Sequence, residues 1–284
     1  MFYKFYYIKL HSNLKCFYVL LESIYFLIHI KTKLKYYDLH IQPSDLNELE
    51  RTVSFAKNFG FEGICLAYPV GREFKKFTDE IGKLSAGIEI FIGGILNGSG
   101  DARKESRKVL KDADIVLVDT CENNNAPKTW EVDVLCRPEH SARRDFMDQK
   151  DSGIDHVMAK LMAERCIGME INFADILNSS GVKRAMIMGR MRQNVHLARK
   201  YDAPVIITSN ARNQWEMRAP GELVAIGKAL GMTDREAKNA LSKNPRKIIK
   251  KADDRKNPDV IMRGLEVVKW GQLKPCEKRM WGWY

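Results

Sequence analysis

One stretch of the chain combines a run of cations with the spacing of an amphipathic helix. Residues 182–201 contain six Lys and Arg residues and no acidic residue. At about 100° per residue, one apolar stripe should face a core; its members are Ile187, Met191, Val195 and Ala198. The basic side chains on and beyond the flank of that stripe are Arg192, His196, Arg199 and Lys200. Such a helix is typical of a phosphate-facing surface, and a solvated helix face is the alternative.

A polar loop follows the buried strand that comes after this helix. Pro220 marks the start of the next helix, because proline suits the first helical turn. Arg212 and Arg218 would then flank the loop beside exposed helix amides, an arrangement that suits anions. The alternative is that Arg218 pairs with Glu216 or Glu222.

An earlier helix carries three further candidate positions, and one lies later in the chain. The segment SGIDHVMAKLMAERC starts a helix near 152–155, where His156 and Lys160 share a face because they are four residues apart. Arg165 lies near the C-terminus of that helix, where a cation also complements the helix dipole. Lys238 extends the basic surface toward the C-terminus. A structural histidine is the alternative interpretation of His156.

No motif in the sequence has the spacing of a metal site or of a disulfide framework. The six cysteines are never closer than 15 positions, and the histidines form no HxH or HxxxH pair. We interpret the cysteines as reduced core residues in a reducing cytosol. Glu170 and Asn172 alternate with apolar residues, so we expect them inside a barrel and not as catalytic acids. No metal bound by the chain is expected.

The first 35 residues differ in composition from the rest of the chain. Of the formal charge of +11, they contribute +5 and the remainder +6, a balance that fits a nucleic-acid surface. The most apolar stretch, Cys16–Ile30, has 15 residues and includes Glu22, whereas a membrane span needs about 20 apolar residues. We expect residues 1–35 to come from a start codon assigned too far upstream. A membrane-anchored interaction protein is the alternative.

The elements that must position these residues alternate between apolar runs and helical stretches. The predicted strands are Tyr36–Ile41, Gly63–Ala67, Ile88–Ile95, Ile115–Asp119, Val132–Cys136, Gly168–Asn172 and Pro204–Thr208. The predicted helices are Ser44–Phe59, Arg72–Lys83, Ala102–Leu110, Asp155–Cys166, the basic helix, Ala219–Leu230 and Asp234–Lys250. Repeated strand–helix units predict a TIM-barrel-like parallel (β/α) barrel. Function should then gather at the C-terminal ends of the strands, at Asp119, Arg137, Asn172 and Thr208–Arg212.

Several segments together resemble a known family. They are YDLHIQPS, VDVLCRPE, SGIDHVMAKLMAERCIGMEINF, SGVKRAMIMGRMRQNVHLARKYDAPVIITSNARNQWEMRAPGELVAIGKALGM and AKNALSKNPRKII. They are similar to archaeal ribonuclease P protein component 3, the thirty-kilodalton subunit family, over roughly Tyr36–Lys250. The resemblance implies a barrel domain at 36–251, followed by a tail at 252–284 whose role the sequence does not reveal.

The resemblance also implies a function and a set of partners. Members of this family join a catalytic RNA, a small RRM-like subunit of the Pop-five type and other ribonuclease P proteins to remove 5′ leaders from precursor tRNA. The RNA performs the Mg²⁺-dependent hydrolysis, so the chain is expected to be non-catalytic, to bind no cofactor itself and to act in the cytoplasm. The expected RNA- or partner-binding residues are Arg137, His156, Lys160, Arg165, Arg192, His196, Arg199, Lys200, Arg212, Arg218 and Lys238.

The first strand suggests a second function. DLHIQPS resembles the strand of metal phosphoesterase barrels in which an HxH pair begins a metal cluster. In this chain Gln42 stands where the second histidine would follow His40, which breaks the pair. A metal-dependent phosphoesterase on the same fold is therefore the less favoured alternative to a barrel that has lost its metal site.

Overall fold

The computed structural model describes residues 34–45, 48–84, 87–97, 100–119, 126–140, 145, 150–262 and 264–271. The chain forms two units, Met1–Lys35 and Tyr36–Tyr284, and the strands and helices of the fold lie in the second.

A sheet of seven parallel strands in chain order organises the described residues. The strands are Tyr36–Ile41 (β1), Phe61–Pro69 (β2), Glu89–Asn97 (β3), Ile115–Asp119 (β4), Val134–Cys136 (β5), Gly168–Asn172 (β6) and Val205–Thr208 (β7). Parallel neighbours need crossover connections, and helices provide most of them. All C-terminal strand ends therefore lie at one end of the sheet.

The sheet curls until the exit of β7 meets β1. The backbone amide of Asn210 donates to the carbonyl of His40 at 2.8 Å, and that of Gln42 donates to Ala211 at 2.9 Å. On the same seam, the Asp38 carboxylate accepts the backbone amide of Ser209 at 3.1 Å. These bonds bring the two edge strands together into a nearly closed barrel, which confirms the predicted TIM-barrel-like fold.

Helices surround the barrel, and their amphipathic faces cover its outer surface. They are Leu49–Asn58 (α1), Phe74–Ile81 (α2), Ala102–Val109 (α3), His156–Arg165 (α4), Phe173–Leu177 (α5), Gly181–Tyr201 (α6), Pro220–Ala229 (α7), Asp234–Leu241 (α8) and Lys243–Lys256 (α9). Side-chain caps fix several starts: Asp101 accepts from the amides of Arg103 and Lys104, and Asp155 accepts from that of Met158.

Two apolar clusters result from the alternation of side chains along the strands. The outer cluster packs strands such as β6, through Met169 and Ile171, against the helices. The inner cluster fills the barrel with residues such as Cys65, Leu117 and Ile206. Helix α9 contributes to the inner cluster, so it covers the N-terminal end of the barrel; its residues there are Ile248, Ile249 and Ala252.

A buried ion cluster ties α9 to that end of the barrel. Arg255 donates two hydrogen bonds to the Asp133 carboxylate at 2.7 and 2.6 Å, and Lys251 Nζ lies 3.2 Å from the same group. Burial raises the pKa of Asp133, but attraction to Arg255 and Lys251 and the hydrogen bonds together lower the pKa by more, so the net shift is downward. The carboxylate is therefore held in its charged form by two cations.

Some predicted elements differ from those observed. The helix predicted over 234–250 is two helices, because Pro245 cannot continue the preceding turn and instead occupies the first turn of α9. The helix predicted from Ser44 begins later, at Leu49, with Glu48 as its N-cap. The Ser44 amide instead binds the carbonyl of Arg212 on the closing seam.

The C-terminal part of the described chain contains elements that the sequence did not predict. Helix α9 runs through position 251 to Lys256, and a small antiparallel pair follows, Val260–Met262 (β8) with Leu265–Glu266 (β9). Within the described residues, none of the helices combines the length and the hydropathy that a membrane crossing requires. The segment 16–30, which prompted the membrane alternative, lies outside the described residues.

Candidate functional site

The C-terminal end of the barrel contains a buried polar triad, which consists of His40, Glu170 and Thr208. His40 Nδ1 lies 2.6 Å from Glu170 Oε1, and the Thr208 hydroxyl donates to the same oxygen at 2.6 Å. The Cys136 thiol lies 3.9 Å from His40 Nδ1. These residues come from β1, β5, β6 and β7, so barrel closure is what brings them together. Glu170 thus lies inside the barrel, as predicted.

Electrostatics favour an ion pair within this triad. Burial lowers the pKa of His40, but attraction and hydrogen bonding to Glu170, together with the Asp38 carboxylate, outweigh burial, so the net shift is upward. Burial raises the pKa of Glu170, but His40 and two further hydrogen-bond partners, Thr208 and Cys136, make the net shift downward. Each partner therefore stabilises the charged form of the other. The His40–Glu170 pair, with Thr208, suits a structural role, because it joins β1 to β6 and β7.

Two groups of side chains among the described residues have donor atoms close enough to share a metal ion: His40, Cys136 and Glu170 form one, and Glu139, His140 and Asp175 form the other. The motif spacing that underlay the expectation of no metal site could not reveal them, because their members come from separate strands and loops. In the first group all three residues are buried and Glu170 already accepts two hydrogen bonds.

The second group lies just beyond β5 and β6. Glu139 and His140 belong to a short 3-10 turn, Pro138–His140, and Asp175 lies on α5. His140 Nε2 is 3.1 Å from Asp175 Oδ2. Burial raises the pKa of Glu139 well above its usual range, and the Asp175 and Glu170 carboxylates raise it further. This carboxyl group is 1% exposed and sits among acids.

Arg137 lies between the two groups along the chain, immediately after β5. Its guanidinium forms an ion pair with Asp119, at the end of the neighbouring strand β4. Its φ of 48° is in the left-handed region, which is uncommon for a residue with a side chain. The sequence placed both residues at this end of the barrel, and the structure brings them into contact.

The loop after β7 presents an aromatic ring and a cation to solvent. The Trp215 side chain is 75% exposed, although its ring contacts Phe55 edge-on at 6.4 Å. Arg212 is exposed, and among the described residues its guanidinium has no hydrogen-bond or ion-pair partner. Arg218 donates to the carbonyls of Trp215 and Met217 at 2.8 and 2.7 Å. It therefore does not pair with Glu216 or Glu222 and serves as a brace for the loop.

The loop is held rigidly by its own polar groups. Asn213 Oδ1 accepts the amides of Trp215 and Glu216 at 3.0 and 3.2 Å. Glu216 in turn accepts the backbone amide of Arg212 at 2.9 Å and the Asn213 side-chain amide at 3.2 Å. The Arg218 guanidinium also lies over the Phe173 ring at 5.3 Å, which links the loop to α5. Trp215 and Arg212 thus project from a preorganised support.

The apolar stripe of the basic helix, now α6, is buried as predicted. Its four members are all at most 3% exposed: Ile187, Met191, Val195 and Ala198. Arg190, also in the acid-free run, is 3% exposed and pairs with Asp145 at 2.8 Å, so it faces the protein and not a phosphate.

Two predicted cations of α6 and one of α8 differ in whether an acidic side chain pairs with them. Arg199 donates to both carboxylate oxygens of Glu236 at 2.7 and 2.9 Å. Lys238 pairs with Asp234 at 2.6 Å. Arg192 donates only to the carbonyl of Ala229, at 3.0 Å, and has no acidic partner among the described residues. Arg192 is therefore the cation of this group best able to meet a phosphate.

The other predicted positions lie on different parts of the molecule. His156 and His196 are exposed. The ammonium groups of Lys160 and Lys200 lie 5.6 and 5.5 Å from the centre of the Tyr201 ring, which brings α4 and α6 together. Arg165 lies over Trp130 at 5.2 Å and lines a groove of about 860 Å³ with residues of α9. The predicted residues therefore do not form one continuous site.

Sequence reasoning missed Trp215 and the group of Glu139, His140 and Asp175. Trp215 lies within the polar loop that the sequence singled out, and an exposed tryptophan in a loop between cations is a usable signal for base stacking. For the acidic group, only the adjacency of Glu139 and His140 could have been noticed, since Asp175 lies 35 positions further on.

Comparison with known proteins places the chain in a family. The family described as RNase P subunit p30 matches residues 35–257, which is most of the chain. The chain belongs to this family. Ribonuclease P protein component 3 of Methanococcoides burtonii is 31% identical over 239 residues, covering 82% of this chain and 93% of that protein. The component 3 protein of Methanosarcina mazei is 30% identical over 245 residues, covering 83% and 97%.

A solved structure agrees with this p30-family assignment at the level of the fold. A chain in a cryo-EM structure of archaeal ribonuclease P with mature tRNA matches with a TM-score of 0.66 and 24% identity. The match covers 83% of this chain and 100% of that chain. The barrel of the present structure is therefore the fold of that chain as well.

Proposed function

We propose that the chain is a protein subunit of ribonuclease P that supports the catalytic RNA during removal of 5′ leaders from precursor tRNA. The observation that carries this proposal is the family match over residues 35–257. The chemistry belongs to the RNA and its Mg²⁺ ions, and the chain contributes phosphate neutralisation and positioning. A metal-dependent phosphoesterase is not favoured, because Gln42 interrupts the histidine pair of the first strand.

Two surfaces suit contact with RNA. The first is the loop after β7, where Trp215 offers a face for an unpaired base and Arg212 offers a charge-assisted hydrogen bond to phosphate. The second is the exposed flank of α6, with Arg192, His196 and Lys200. Cations that lack an acidic partner do not have to break an ion pair to bind a phosphate, so they should contribute most to affinity. Arg199 and Lys238 should contribute less.

The family also suggests the remaining partners that we propose. We place a small RRM-like subunit of the Pop-five type and the other ribonuclease P proteins against surfaces that these RNA contacts leave free, with precursor tRNA as the substrate of the complex. His156 and Lys160 on α4, and Arg165 at the far end of the same helix, are candidates for either an RNA or a protein contact. The assembly would act in the cytoplasm.

Salt dependence of RNA binding tests the two surfaces. The logarithm of the RNA-binding constant falls with the logarithm of the salt concentration. Replacing Arg192 and Lys200 by alanine should make this dependence shallower, by about one unit of slope for each phosphate that the variant no longer neutralises. The matched control is Lys75→Ala with Lys76→Ala, which removes two exposed lysines from α2. Equal slopes for the two double variants, at equal melting temperature, would remove α6 from the RNA interface.

A second variant separates base stacking from charge. Trp215→Ala should weaken binding of the ribonuclease P RNA by about 1–3 kcal/mol while leaving the salt slope unchanged, because stacking releases no counterions. Arg212→Ala should lower the slope by about one unit. If Trp215→Ala binds RNA as tightly as the parent protein, the loop is not a base-stacking platform.

A further inference from the structure

Four buried atoms without hydrogen-bond partners meet beyond the ends of β5 and β6. They are both carboxylate oxygens of Glu139, His140 Nε2 and Asp175 Oδ2. The 3.1 Å approach of His140 to Asp175 does not have hydrogen-bond geometry. Buried polar atoms are almost always paired, because each one left unpaired costs free energy. Four at one place therefore point to a ligand that all of them share.

The spacing of these atoms suits a single cation. Donor atoms of Glu139, His140 and Asp175 all lie within 4.8 Å of one another. Two ligands that bind one ion at about 2.1 Å lie roughly 3.0–3.5 Å apart. The 3.1 Å between His140 Nε2 and Asp175 Oδ2 already meets that requirement. The Glu139 donor atom lies within 4.8 Å of the other two, so a change in the Glu139 side-chain rotamer would complete the set.

The backbone that carries the ligands is fixed by contacts outside the group. Arg190 Nη1 donates to the Glu139 carbonyl at 2.8 Å, from the buried face of α6. Gly153 lies so close to the turn that a Cβ there would be 1.8 Å from the Pro138 carbonyl oxygen. Asp175 lies in the first turn of α5, where Asn172 caps its amide at 3.4 Å. The ligands are therefore preorganised and need no loop ordering.

Charge and access also favour a cation. Two carboxyl groups face one imidazole, and the nearest arginine along the chain, Arg137, is engaged by Asp119. The His140 and Asp175 side chains remain 26% and 14% exposed, so the group lies close to the protein surface. By contrast, the group of His40, Cys136 and Glu170 is fully buried, and Glu170 Oε1 already accepts two hydrogen bonds, although His40 Nε2 and Glu170 Oε2 have no partner among the described residues.

We propose that Glu139, His140 and Asp175 bind one divalent transition-metal ion of the Mn²⁺ or Zn²⁺ class. Imidazole favours Zn²⁺ and its neighbours over Mg²⁺, whereas carboxylates accept either kind of ion. The ion ties the turn after β5 to α5, which in turn contacts Arg218 of the loop after β7. Its role is structural: it fixes the C-terminal end of the barrel from which that loop projects.

Titration of the full-length, metal-free chain with Mn²⁺ and Zn²⁺, followed by calorimetry and thermal unfolding, tests the site. One ion should bind per chain, and Mg²⁺ should bind more weakly. At an ion concentration of about 100 times Kd, the melting temperature should rise by roughly 5–10 °C. Glu139→Gln and Asp175→Asn should each weaken binding by about 100-fold or more, since even outer-shell partners of metal ligands are worth 10–100-fold.

Metal-free stability separates a ligand from an ordinary structural residue. Glu139→Gln should leave the melting temperature of the metal-free protein unchanged or raise it, because neither carboxylate oxygen has a hydrogen-bond partner among the described residues. Exposed residues supply controls: Glu73→Gln and Asp234→Asn make the same chemical changes elsewhere and should retain binding. The proposal fails if no saturable binding occurs, if both ligand variants bind as the parent does, or if only Glu170→Gln abolishes binding.

Discussion

Individual residues at the β1–β7 seam combine burial with charge, and Asp38 is the clearest case. Its carboxylate accepts the amides of Ser209 at 3.1 Å and of His40 at 3.2 Å, yet it is 1% exposed. Burial, the largest influence, raises its pKa from 3.8 to about 6, although the hydrogen bonds oppose the shift. The seam that closes the barrel therefore depends on a group that titrates under mildly acidic conditions.

The pKa of Asp38 predicts a definite pH dependence. Because the folded-state value exceeds the unfolded one, the folded protein holds this proton more tightly, and the free energy of unfolding falls as pH rises from 3.8 to about 6. A shift of about two pKa units corresponds to at most ~3 kcal/mol. In Asp38→Asn this fall should disappear. The difference in the free energy of unfolding between the variant and the parent should therefore change by up to ~3 kcal/mol between about pH 4 and pH 7.

Urea unfolding at several pH values measures this difference. Asp112→Asn, at an exposed aspartate, is the control and should run parallel to the parent protein. Parallel curves for Asp38→Asn as well would show that Asp38 ionises normally in the folded state.

Helix α9 closes the N-terminal end of the barrel. It supplies apolar side chains to the inner cluster and two cations to Asp133. Arg255 is 1% exposed and also donates to the carbonyls of Glu131 and Asp114, at 3.3 and 2.9 Å. The Arg255 side chain thus joins α9 to the N-terminal ends of β4 and β5.

Removing that side chain should destabilise the whole barrel. Arg255→Ala leaves Asp133 buried with only Lys251 as a charged partner, which should cost about 3–5 kcal/mol in the free energy of unfolding. Arg235→Ala removes an exposed arginine from α8 and should change stability by no more than about 0.5 kcal/mol. Similar chemical-denaturation midpoints for the two variants would contradict the role given to α9.

Sequence patterns predict the elements well where they are long and periodic. The strands are recognisable because apolar runs alternate with amphipathic segments, and the buried stripe of α6 follows directly from residue spacing. The five-residue helix α5 escapes prediction because one turn carries no detectable period. Pro245 does signal the break before α9, but the helix pattern on either side outweighs that local signal.

Sites are less predictable than elements because they depend on which strand ends meet. The basic residues of α6 can be named from the sequence, but the pairing of Arg199 with Glu236 depends on how α6 packs against α8. The triad of His40, Glu170 and Thr208 joins residues 130 and 38 positions apart. Only closure of the barrel makes them neighbours.

At the scale of the whole molecule, the barrel resembles a scaffold more than an enzyme. The interior of the barrel is filled by apolar side chains and α9. The C-terminal end carries the hydrogen-bonded triad of His40, Glu170 and Thr208 and a rigid loop with an exposed Trp215. Such an arrangement provides shape and charge for a large partner. We therefore expect this member of the p30 family to act by supporting the catalytic RNA.

Reconstituted cleavage of precursor tRNA is the direct test of this supporting role. The assay compares the catalytic RNA and the other protein subunits with and without this chain, and includes the chain alone with Mg²⁺. Adding the chain should increase the rate of 5′-leader removal, Arg212→Ala with Trp215→Ala should lose most of that increase, and the chain alone should cleave nothing. Cleavage by the RNA-free chain, or a rate unchanged by its omission, would contradict the account.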